Sequence, residues 1–317
     1  MDSLTLRSPA KLNLFLEVIR RREDRFHELD TLMVPVTLSD TLTIRRRTDD
    51  RIFLKCHGND TLPCDGRNLI VKAIQAYCHS AGIPTGFEVI LEKRIPVEAG
   101  LGGGSGNAAT TLTAIHRLSG EPEIPETLRK LGATLGSDVP FFFHGGAARC
   151  RGRGEVLEPI PDPPVPFHFV LVRPPEGFST ALAYRYCRTA EECGDRRTID
   201  PILKAWDTGD PEWLGRTCFN RLESAVCPRS EAVRRTMELL RRERTCGVGM
   251  SGSGTCCFAI CRDERESREL AERLSEQIGT RFPERKRDWF VRSIRTGGRE
   301  KGKKSENGAE IRTESLE

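Results

Sequence analysis

Long apolar runs and leader-like segments are missing from this sequence of 317 residues. No stretch approaches the roughly 20 apolar residues of a membrane-spanning helix, and the N-terminus lacks the basic-then-apolar order of a signal peptide. The twelve cysteines include no C-x-x-C pair, so neither a zinc site nor a dense disulfide framework is supported. We therefore expect a cytoplasmic protein with free thiols and no membrane association.

Charge is not segregated along the chain either. The 50 lysines and arginines are scattered among 46 acidic residues, which leaves a net charge of +4. Because no single element collects a basic face, the sequence does not favour nucleic-acid binding. Internal repeats are also absent, and the length is sufficient for two domains with a sizeable core. Small molecules are the expected partners.

Two common phosphate-binding motifs are missing as well. A Walker A loop requires a lysine directly after its last glycine, and none follows Gly106. The letters of a Rossmann fingerprint occur at residues 247–252, but an apolar strand-like run follows them where that fold needs a helix. We therefore predict neither of these nucleotide-binding folds.

A glycine-rich stretch, PVEAGLGGGSGNAA at residues 96–109, is nevertheless the most informative feature of the sequence. A strand-like run at 86–93 precedes it, and a run of helical composition at 107–118 follows it, with Ser105 as the candidate N-cap. Glycines let the backbone approach a ligand closely, and free amides at a helix N-terminus favour negative charge. The stretch therefore predicts a polyphosphate site; the alternative is a purely structural loop.

Mixed strands and helices in two halves are predicted for the remainder of the chain. Further strands are expected at 12–18, with one solvated face, and at 29–38, 41–45, 52–56, 167–172, 255–261 and 289–294. Further helices are expected at 68–80, 125–135, 179–187, 211–225, 230–243 and 266–278. Ser39–Asp40 is assigned to a turn. The predicted domains are 1–160 and 161–295, separated by a proline-rich stretch and followed by a disordered polar tail at 296–317.

A kinase needs, beside a phosphate site, a carboxylate and a cation near the acceptor hydroxyl. Asp138 is the carboxylate we predict, because it lies between Gly136 and Pro140 directly before an apolar run, where an idle charge is unfavourable. Lys11 is the predicted cation, a single lysine at the start of an apolar strand. The alternatives are an aspartate that caps the turn before Pro140 and a lysine that reaches solvent.

Four motifs in one order connect these features to a known family. They are PAKLNL at 9–14, the glycine stretch, GSDVPF at 136–141 and MSGSG at 250–254. Together they resemble the motif set of the GHMP kinase superfamily. The Phe26–His27 segment narrows the resemblance to the branch that phosphorylates 4-diphosphocytidyl-2-C-methyl-D-erythritol in the non-mevalonate route to isoprenoid precursors. The resemblance covers the chain to about Arg295.

The resemblance implies an α+β fold with two domains. The N-terminal domain would be like domain 2 of ribosomal protein S5, the C-terminal domain would be ferredoxin-like, and the active site would lie between them. It implies phosphoryl transfer from ATP, with Mg²⁺, to the 2-hydroxyl of the methylerythritol moiety by a monomer or weak homodimer. We assign no protein residue as a metal ligand.

The resemblance also implies a role for individual residues. Asp138 matches the base that takes the proton of the acceptor hydroxyl, and Lys11 matches the lysine that supports that aspartate. The substrate-side positions are Asn13, Phe26, His27 and Thr180, among which Phe26 and His27 hold the cytosine. The positions around ATP are Asn68, Lys93, Pro96, Val97, Glu98, Ala99, Gly100, Leu101, Gly102, Gly103, Gly104, Ser105, Gly106 and Asn107.

The sequence departs from the family pattern at a few positions. Gly106 and Phe26 replace a more usual serine and tyrosine, and Arg25 replaces a glycine. The segment 220–223 has arginine where the family has aspartate, and we assign it only a packing role. Two alternatives stay open: a homoserine or mevalonate kinase of the same superfamily, whose acceptors carry no nucleobase, and a nucleotide-binding or S5-like RNA-binding protein without catalysis.

Overall fold

The computed structural model describes residues 2–121 and 123–297, so the predicted tail from residue 298 onward lies outside the described residues. The strands are β1 (Ser3–Arg21), β2 (His27–Arg46), β3 (Ile52–His57), β4 (Phe87–Glu92), β5 (Ala148–Gly152), β6 (Val156–Pro159), β7 (His168–Arg173), β8 (Phe219–Asn220), β9 (Gly247–Met250), β10 (Cys257–Cys261) and β11 (Phe290–Arg295). The helices are α1 (Leu69–Ala81), α2 (Gly103–Leu118), α3 (Glu126–Leu135), α4 (Val139–His144), α5 (Thr180–Tyr186), α6 (Ala190–Cys193), α7 (Asp200–Thr208), α8 (Pro211–Thr217), α9 (Glu223–Val226), α10 (Glu231–Arg241) and α11 (Glu264–Arg281). Within these described segments, no helix has the length and apolar character needed to cross a bilayer.

The first six strands and β8 form a seven-stranded sheet in the order β3-β4-β2-β1-β8; β5 also pairs with β2, and β6 pairs with β5. β1 and β2 form its centre as a long antiparallel pair, in which Ser3 lies opposite Arg45 and Arg21 opposite His27. β2 pairs with β5 along its first part and with β4 along its last part. Apolar residues of α1 and α2, such as Ile74 and Leu112, cover the β4 side of this sheet.

The second half of the chain forms a four-stranded antiparallel sheet in the order β11-β7-β10-β9. The helices α10 and α11 lie before β9 and after β10, and Met237 and Leu274 pack from them into a common core. This is the strand order of a split β-α-β unit, a ferredoxin-like arrangement. The predicted α+β class and the ferredoxin-like second half are therefore confirmed.

The first strand is buried on both faces, which corrects the prediction of one solvated face. Leu12 and Leu14 are no more than 1% exposed, and Asn13, Phe15 and Glu17, the residues that alternate with them, are no more than 2% exposed. β8 pairs in parallel with β1, and two residues of the second half, Ser251 and Arg221, contact Asn13 and Glu17. Polar residues of β1 must therefore find partners inside the protein, since water is excluded there.

Other local predictions were wrong for identifiable reasons. Ser39–Asp40 is not a turn, because β2 continues through it and Asp40 is fully buried. Ser105 is not an N-cap, because α2 already begins at Gly103 with Gly102 at the N-cap position. The segment 211–225 contains α8, β8 and the start of α9, and α6 and α7 were not predicted.

The ordered chain also continues slightly beyond the expected start of the tail. Thr296 is 5% exposed, forms an isolated bridge with Val36 and donates its backbone N–H to Phe167 O at 2.9 Å. Gly297 donates to Pro35 O at 2.9 Å. These contacts attach the end of the second sheet to β2, at the centre of the first sheet.

A buried ion pair connects β1 to the segment that follows β8. Glu17 has a fully buried side chain, and its oxygens accept from Arg221 Nε at 2.6 Å and Arg221 Nη2 at 2.8 Å. Glu17 also accepts from the backbone N–H groups of Val18 and Arg197 at 2.9 and 2.8 Å. The segment 220–223 therefore does more than pack, contrary to its assignment from the sequence.

Removal of this arginine is expected to destabilise the fold. Arg221→Met leaves the Glu17 carboxylate buried without its cation, and we expect a loss of about 3–5 kcal/mol in the free energy of unfolding. Glu17→Gln combined with Arg221→Met should recover part of that loss, because no uncompensated charge stays buried. Urea denaturation measures the free energy of unfolding of the single and the double variant. Arg234→Met, which breaks an exposed i,i+4 pair with Glu238, is the control, and equal losses in the two arginine variants would contradict the prediction.

Candidate active site

A cleft of about 1700 Å³ opens between the two halves of the chain. A site for one small ligand typically has roughly 300–1,000 Å³, so this cleft has room for two. Predicted site residues that line it are Lys11, Asn13, Phe26, His27, Asn68, Lys93, Pro96, Val97, Glu98, Ala99, Gly100, Leu101, Gly102, Gly103, Gly104, Ser105, Asn107, Asp138 and Thr180. Residues distant in sequence, from β1 to the β9–β10 turn, therefore meet in one cavity.

The N-terminus of α2 forms one end of the cleft. Gly102, at its N-cap position, has a φ of 68°, and a Cβ there would lie 2.8 Å from the Phe142 ring and 3.0 Å from Lys11 Cγ. Only glycine fits such a left-handed, crowded position. The first backbone N–H groups of a helix have no partner within it, so those of Gly103 to Ser105 are available to an anion.

Gly106 does not belong to this surface. Its N–H donates to Gly102 O at 2.8 Å, and a Cβ on it would point to Ser8 Oγ and Pro9 O at 3.0 and 3.1 Å. The structure therefore places Gly106 against β1 and does not bring it to the cleft. Asn68 lines the cleft, but its side-chain oxygen caps α1 by accepting from Ile70 N at 3.0 Å.

The chain before α2 is held in place from both halves of the protein. Leu101 O accepts from Lys11 N at 3.0 Å, and Ala99 O accepts from Cys256 N at 3.2 Å. Gly100 O accepts from Ser251 Oγ at 3.0 Å. The glycine loop is therefore preorganised by bonds to its own carbonyl oxygens, which leaves the amides that follow free for a ligand.

A buried cation lies beside the positive end of α2. Lys93 Nζ donates to Asp40 Oδ2 at 2.6 Å, and both side chains are at most 5% exposed. Asp40 is fixed by further donors: Asn107 Nδ2 at 3.0 Å and the backbone N–H groups of Arg94 and Ile95 at 2.7 and 2.8 Å. Burial lowers the pKa of Lys93, and the charge of Asp40 opposes that shift. An ammonium next to a helix N-terminus is a strong attractor for polyphosphate.

A second lysine connects two parts of the site. Lys11 Nζ donates to Asn13 Oδ1 at 2.5 Å and lies 3.4 Å from Asp138 Oδ2. Asn13 is oriented by its own Nδ2, which donates to Thr31 Oγ1 at 2.9 Å. Asp138 occupies the N-cap position of α4 but makes no side-chain cap bond, so it does not serve as the turn cap that the sequence left open. Its carboxylate, 29% exposed, faces the cleft beside Lys11.

Aromatic rings form the opposite end of the cleft. Phe26 is 50% exposed, and the Arg153 guanidinium lies 4.8 Å from the centre of its ring. His27 stacks on Tyr184 with ring centres 5.1 Å apart, and among the described residues His27 Nε2 has no hydrogen-bond partner. Burial and Arg21 lower the pKa of His27, so its imidazole is neutral at pH 7. A flat ring and an unpaired ring nitrogen suit a planar heterocycle with polar edges.

Thr180 joins this end to the glycine turn of the second half. Its hydroxyl lies 2.7 Å from Ser253 Oγ, and both residues line the cleft. Tyr184 lies four residues further along α5 and so shares the face of Thr180.

Two residues of the site were missed in the sequence. Tyr184 could have been found from its helical spacing to Thr180. No local sequence signal marks Asp40, because it lies between Ser39 and Thr41 in a segment that has the composition of a turn.

The two halves of the chain match family models separately. The GHMP kinases N terminal domain matches residues 68–146, and GHMP kinases C terminal matches residues 202–279. The crystal structure of a 4-(cytidine 5'-diphospho)-2C-methyl-D-erythritol kinase aligns with a TM-score of 0.74 at 33% identity, over 93% of this chain and 100% of that one. A homoserine kinase from Cytophaga hutchinsonii aligns with a TM-score of 0.68 at 17% identity, over 94% of this chain and 95% of that one, a likeness of fold alone.

Sequence comparison narrows the relationship further. A 4-diphosphocytidyl-2-C-methyl-D-erythritol kinase of Deinococcus radiodurans is 38% identical over 271 residues, which cover 85% of this chain and 88% of that protein. The protein of the same name in Geobacter metallireducens is 36% identical over 296 residues, 93% of this chain and 99% of that protein. The predicted superfamily and branch are confirmed: the chain belongs to the 4-diphosphocytidyl-2-C-methyl-D-erythritol kinase family of the GHMP kinases.

Proposed function

We propose that this protein transfers the γ-phosphoryl group of ATP to the 2-hydroxyl of 4-diphosphocytidyl-2-C-methyl-D-erythritol, releasing ADP. The observation that carries the proposal is the position of Lys11. Its ammonium contacts Asn13 and Asp138, while its stem lies against Gly102 at the start of the anion-binding helix. One cation thus adjoins the carboxylate that accepts a proton and the loop that holds the phosphates. A binding protein without catalysis has no need of this juxtaposition.

Asp138 acts as the general base in this proposal. Its carboxylate takes the proton of the acceptor hydroxyl as that oxygen attacks the γ-phosphorus. Lys11 holds the carboxylate at 3.4 Å and stabilises the negative charge that develops on the acceptor and transferred oxygens. Asn13 keeps the ammonium in place, since Thr31 fixes the asparagine amide in the orientation that presents Oδ1 to Lys11.

The nucleotide phosphates occupy the N-terminus of α2. The free amides of the first helical turn donate to phosphate oxygens, and Lys93 adds a charge beside them. Mg²⁺ would be held by the phosphates themselves, beside the first turn of α2, where the Ser105 hydroxyl lines the cleft. That ion would neutralise charge on the phosphate oxygens during transfer.

The aromatic end selects the acceptor. Phe26 offers an exposed face for stacking of the cytosine, and His27, which lines the same cleft, is the polar residue for the edge of the base. Homoserine and mevalonate carry no ring for these groups. The cytidyl substrate is therefore the acceptor that uses both ends of the cleft.

We also propose the remaining organisation of the enzyme. The chain divides into domains near residue 160, between β6 and β7, with the cleft along their junction. The enzyme acts in the cytoplasm as a monomer or weak homodimer and binds no nucleic acid. Its buried thiols, whose pKa values burial raises at Cys150 and Cys256 to about 12, are unreactive core residues.

Asp138→Asn is expected to lower turnover by at least ~10²-fold, because an amide cannot accept the hydroxyl proton. ATP affinity should be retained, since the glycine loop and Lys93 do not depend on this side chain. ADP release with the cytidyl substrate and calorimetry with a non-hydrolysable ATP analogue measure the two quantities. Asp162→Asn, an exposed aspartate, is the matched control. Near-normal turnover in a folded Asp138→Asn protein would contradict the role of base.

Nucleotide affinity is expected to fall with rising alkaline pH. The pKa of Lys93 is lowered in the free protein, and bound phosphates raise it, so the complex holds a proton that the free protein has released. Below both pKa values affinity is full; above the lowered pKa it declines by up to about tenfold per pH unit. Titration of the ATP analogue in buffers of different ionisation enthalpy should show proton uptake. Lys93→Arg, which stays charged, should show none, and pH-independent binding by the parent would contradict the prediction.

Phe26→Ala is expected to weaken binding of the cytidyl substrate by about 1–3 kcal/mol, the usual scale of base–aromatic stacking. Phe26→Tyr should bind about as well as the parent. Because the ring is half exposed, the thermal midpoint and ATP affinity should barely change. Direct titration with the substrate measures the affinity of each variant, and thermal melts measure its midpoint. A variant that melts much earlier yet binds substrate normally would identify Phe26 as a packing residue.

A further inference from the structure

The turn between β9 and β10, residues 251–254, contacts both parts of the reaction centre. Gly252 and Ser253 line the cleft, and a Cβ on Gly252 would lie 3.4 Å from Lys11 Nζ and 3.2 Å from Asn13 Oδ1. Ser251 Oγ accepts from Asn13 N at 3.3 Å and donates to Gly100 O at 3.0 Å. A small movement of this turn would therefore change the surroundings of Lys11 and of the nucleotide loop together.

Asn220 holds this turn from the side away from the cleft. Its Nδ2 donates to Met250 O at 2.7 Å and to Gly252 O at 2.8 Å, and its Oδ1 accepts from Leu222 N at 3.0 Å. The residue is 5% exposed and does not line the cleft. Its hydrogen-bonding groups are thus used within the protein, so it acts on the turn and not on a ligand.

Glu223 supports the start of the same turn. Its Oε1 accepts from Met250 N at 2.9 Å, so the two residues bind both the N–H and the C=O of Met250. A small cavity of about 300 Å³ lies behind the turn, lined by Asn220, Glu223 and Gly249 among others. Packing alone therefore does not fill the space behind the turn, and the hydrogen bonds must hold it.

The hydrogen bond from Asn220 Nδ2 to Gly252 O, called the tether below, fixes the direction of the Ser253 N–H. In a trans peptide the C=O and the following N–H point in opposite directions. Since Gly252 O points to Asn220, the Ser253 N–H points to the opposite side, toward the cleft. Within residues 2–121 and 123–297, no hydrogen bond uses this N–H. Gly252 has a φ of 56°, a conformation in which an untethered peptide can turn over readily.

We propose that Asn220 is a positioning residue that holds the Gly252–Ser253 peptide so that the Ser253 N–H donates to a phosphate oxygen in the cleft. Glu223 assists by holding Met250. The inference rests on the proposed function, which identifies the ligands of the cleft. Two groups of those ligands could supply the phosphate oxygen that accepts from Ser253 N–H. These are the transferred phosphoryl group and the diphosphate of the acceptor.

Asn220→Asp tests the tether because it keeps the size of the side chain and replaces the donor by an oxygen that repels both carbonyl groups. We expect kcat/KM for the acceptor to fall by about 10- to 100-fold, the scale of a misplaced catalytic contact. A rise in acceptor KM would identify the acceptor diphosphate, and a fall in kcat at unchanged KM would identify the transferred group. Unchanged kcat and KM values in the folded variant would overturn the proposal.

Matched variants separate positioning from folding. Asn220→Leu removes the donors without adding a charge and should behave like Asn220→Asp. Asn59→Asp makes the same chemical change at a loop asparagine whose oxygen accepts from Thr61 N, and it should leave activity unchanged. Glu223→Gln keeps an acceptor oxygen and should retain activity, whereas Glu223→Met should lose it in part. A lower thermal midpoint with parental kinetics in both Asn220 variants would overturn the proposal.

Hydrogen exchange of the free protein gives a readout that needs no substrate. Amides in the peptide spanning 250–256 should exchange at least about tenfold faster in Asn220→Leu than in the parent, with the rest of the core unchanged. Should the parent fail to phosphorylate the cytidyl substrate, the proposed function fails while this measurement still decides on the tether. Parental protection of the turn in Asn220→Leu would overturn the proposal.

Discussion

Burial of β1 on both faces is the constraint on which the site depends. A strand covered on one side only could leave its polar residues in water, but here Lys11, Asn13 and Glu17 are at most 4% exposed. Each must find a partner on another element, because an unpaired polar group in the interior costs several kcal/mol. Lys11 forms an ion pair with Asp138, Asn13 donates to Thr31, and Glu17 forms an ion pair with Arg221. Because these partners lie at the start of α4, on β2 and after β8, the polar residues of one strand fix the positions of three other parts of the chain.

The proposed nucleotide end of the cleft combines a lysine with a glycine-rich helix N-terminus, as a Walker A loop does, but takes the lysine from another part of the chain. There the lysine follows the glycines in the chain; here Lys93 comes from the end of β4 and reaches the helix N-terminus through space. Its carboxylate partner, Asp40, is held by three donors besides the lysine and cannot rotate away. In the proposed function the cation is therefore in position before the nucleotide binds, so little ordering has to accompany binding.

The sequence was informative where chemistry and local pattern coincide. The glycine stretch between a strand and a helix predicted a polyphosphate site, and the four motifs predicted the fold and the family correctly. Asp138 and Lys11 are predicted from their positions beside apolar runs together with the family motifs, and the structure places them 3.4 Å apart. Prediction failed where tertiary contacts override local pattern. Asp40 has the sequence context of a turn residue until its donors from α2 and from the segment directly after β4 are known. Arg221 is only a departure from a motif until its ion pair with Glu17 is known.

β2 extends between the two ends of the cleft, and its length limits where the chain can accept insertions during evolution. His27 begins this strand at the aromatic end, and Asp40 lies on it beside Lys93. The length of the strand therefore sets the distance between the proposed base and phosphate sites. Its rise is about 3.3 Å per residue, and each inserted residue also reverses the face of everything beyond it. Insertions should therefore accumulate in loops such as 47–51 and stay out of the segment 27–40. The distance between the two proposed substrate sites would then stay constant among relatives, while the surrounding loops diverge.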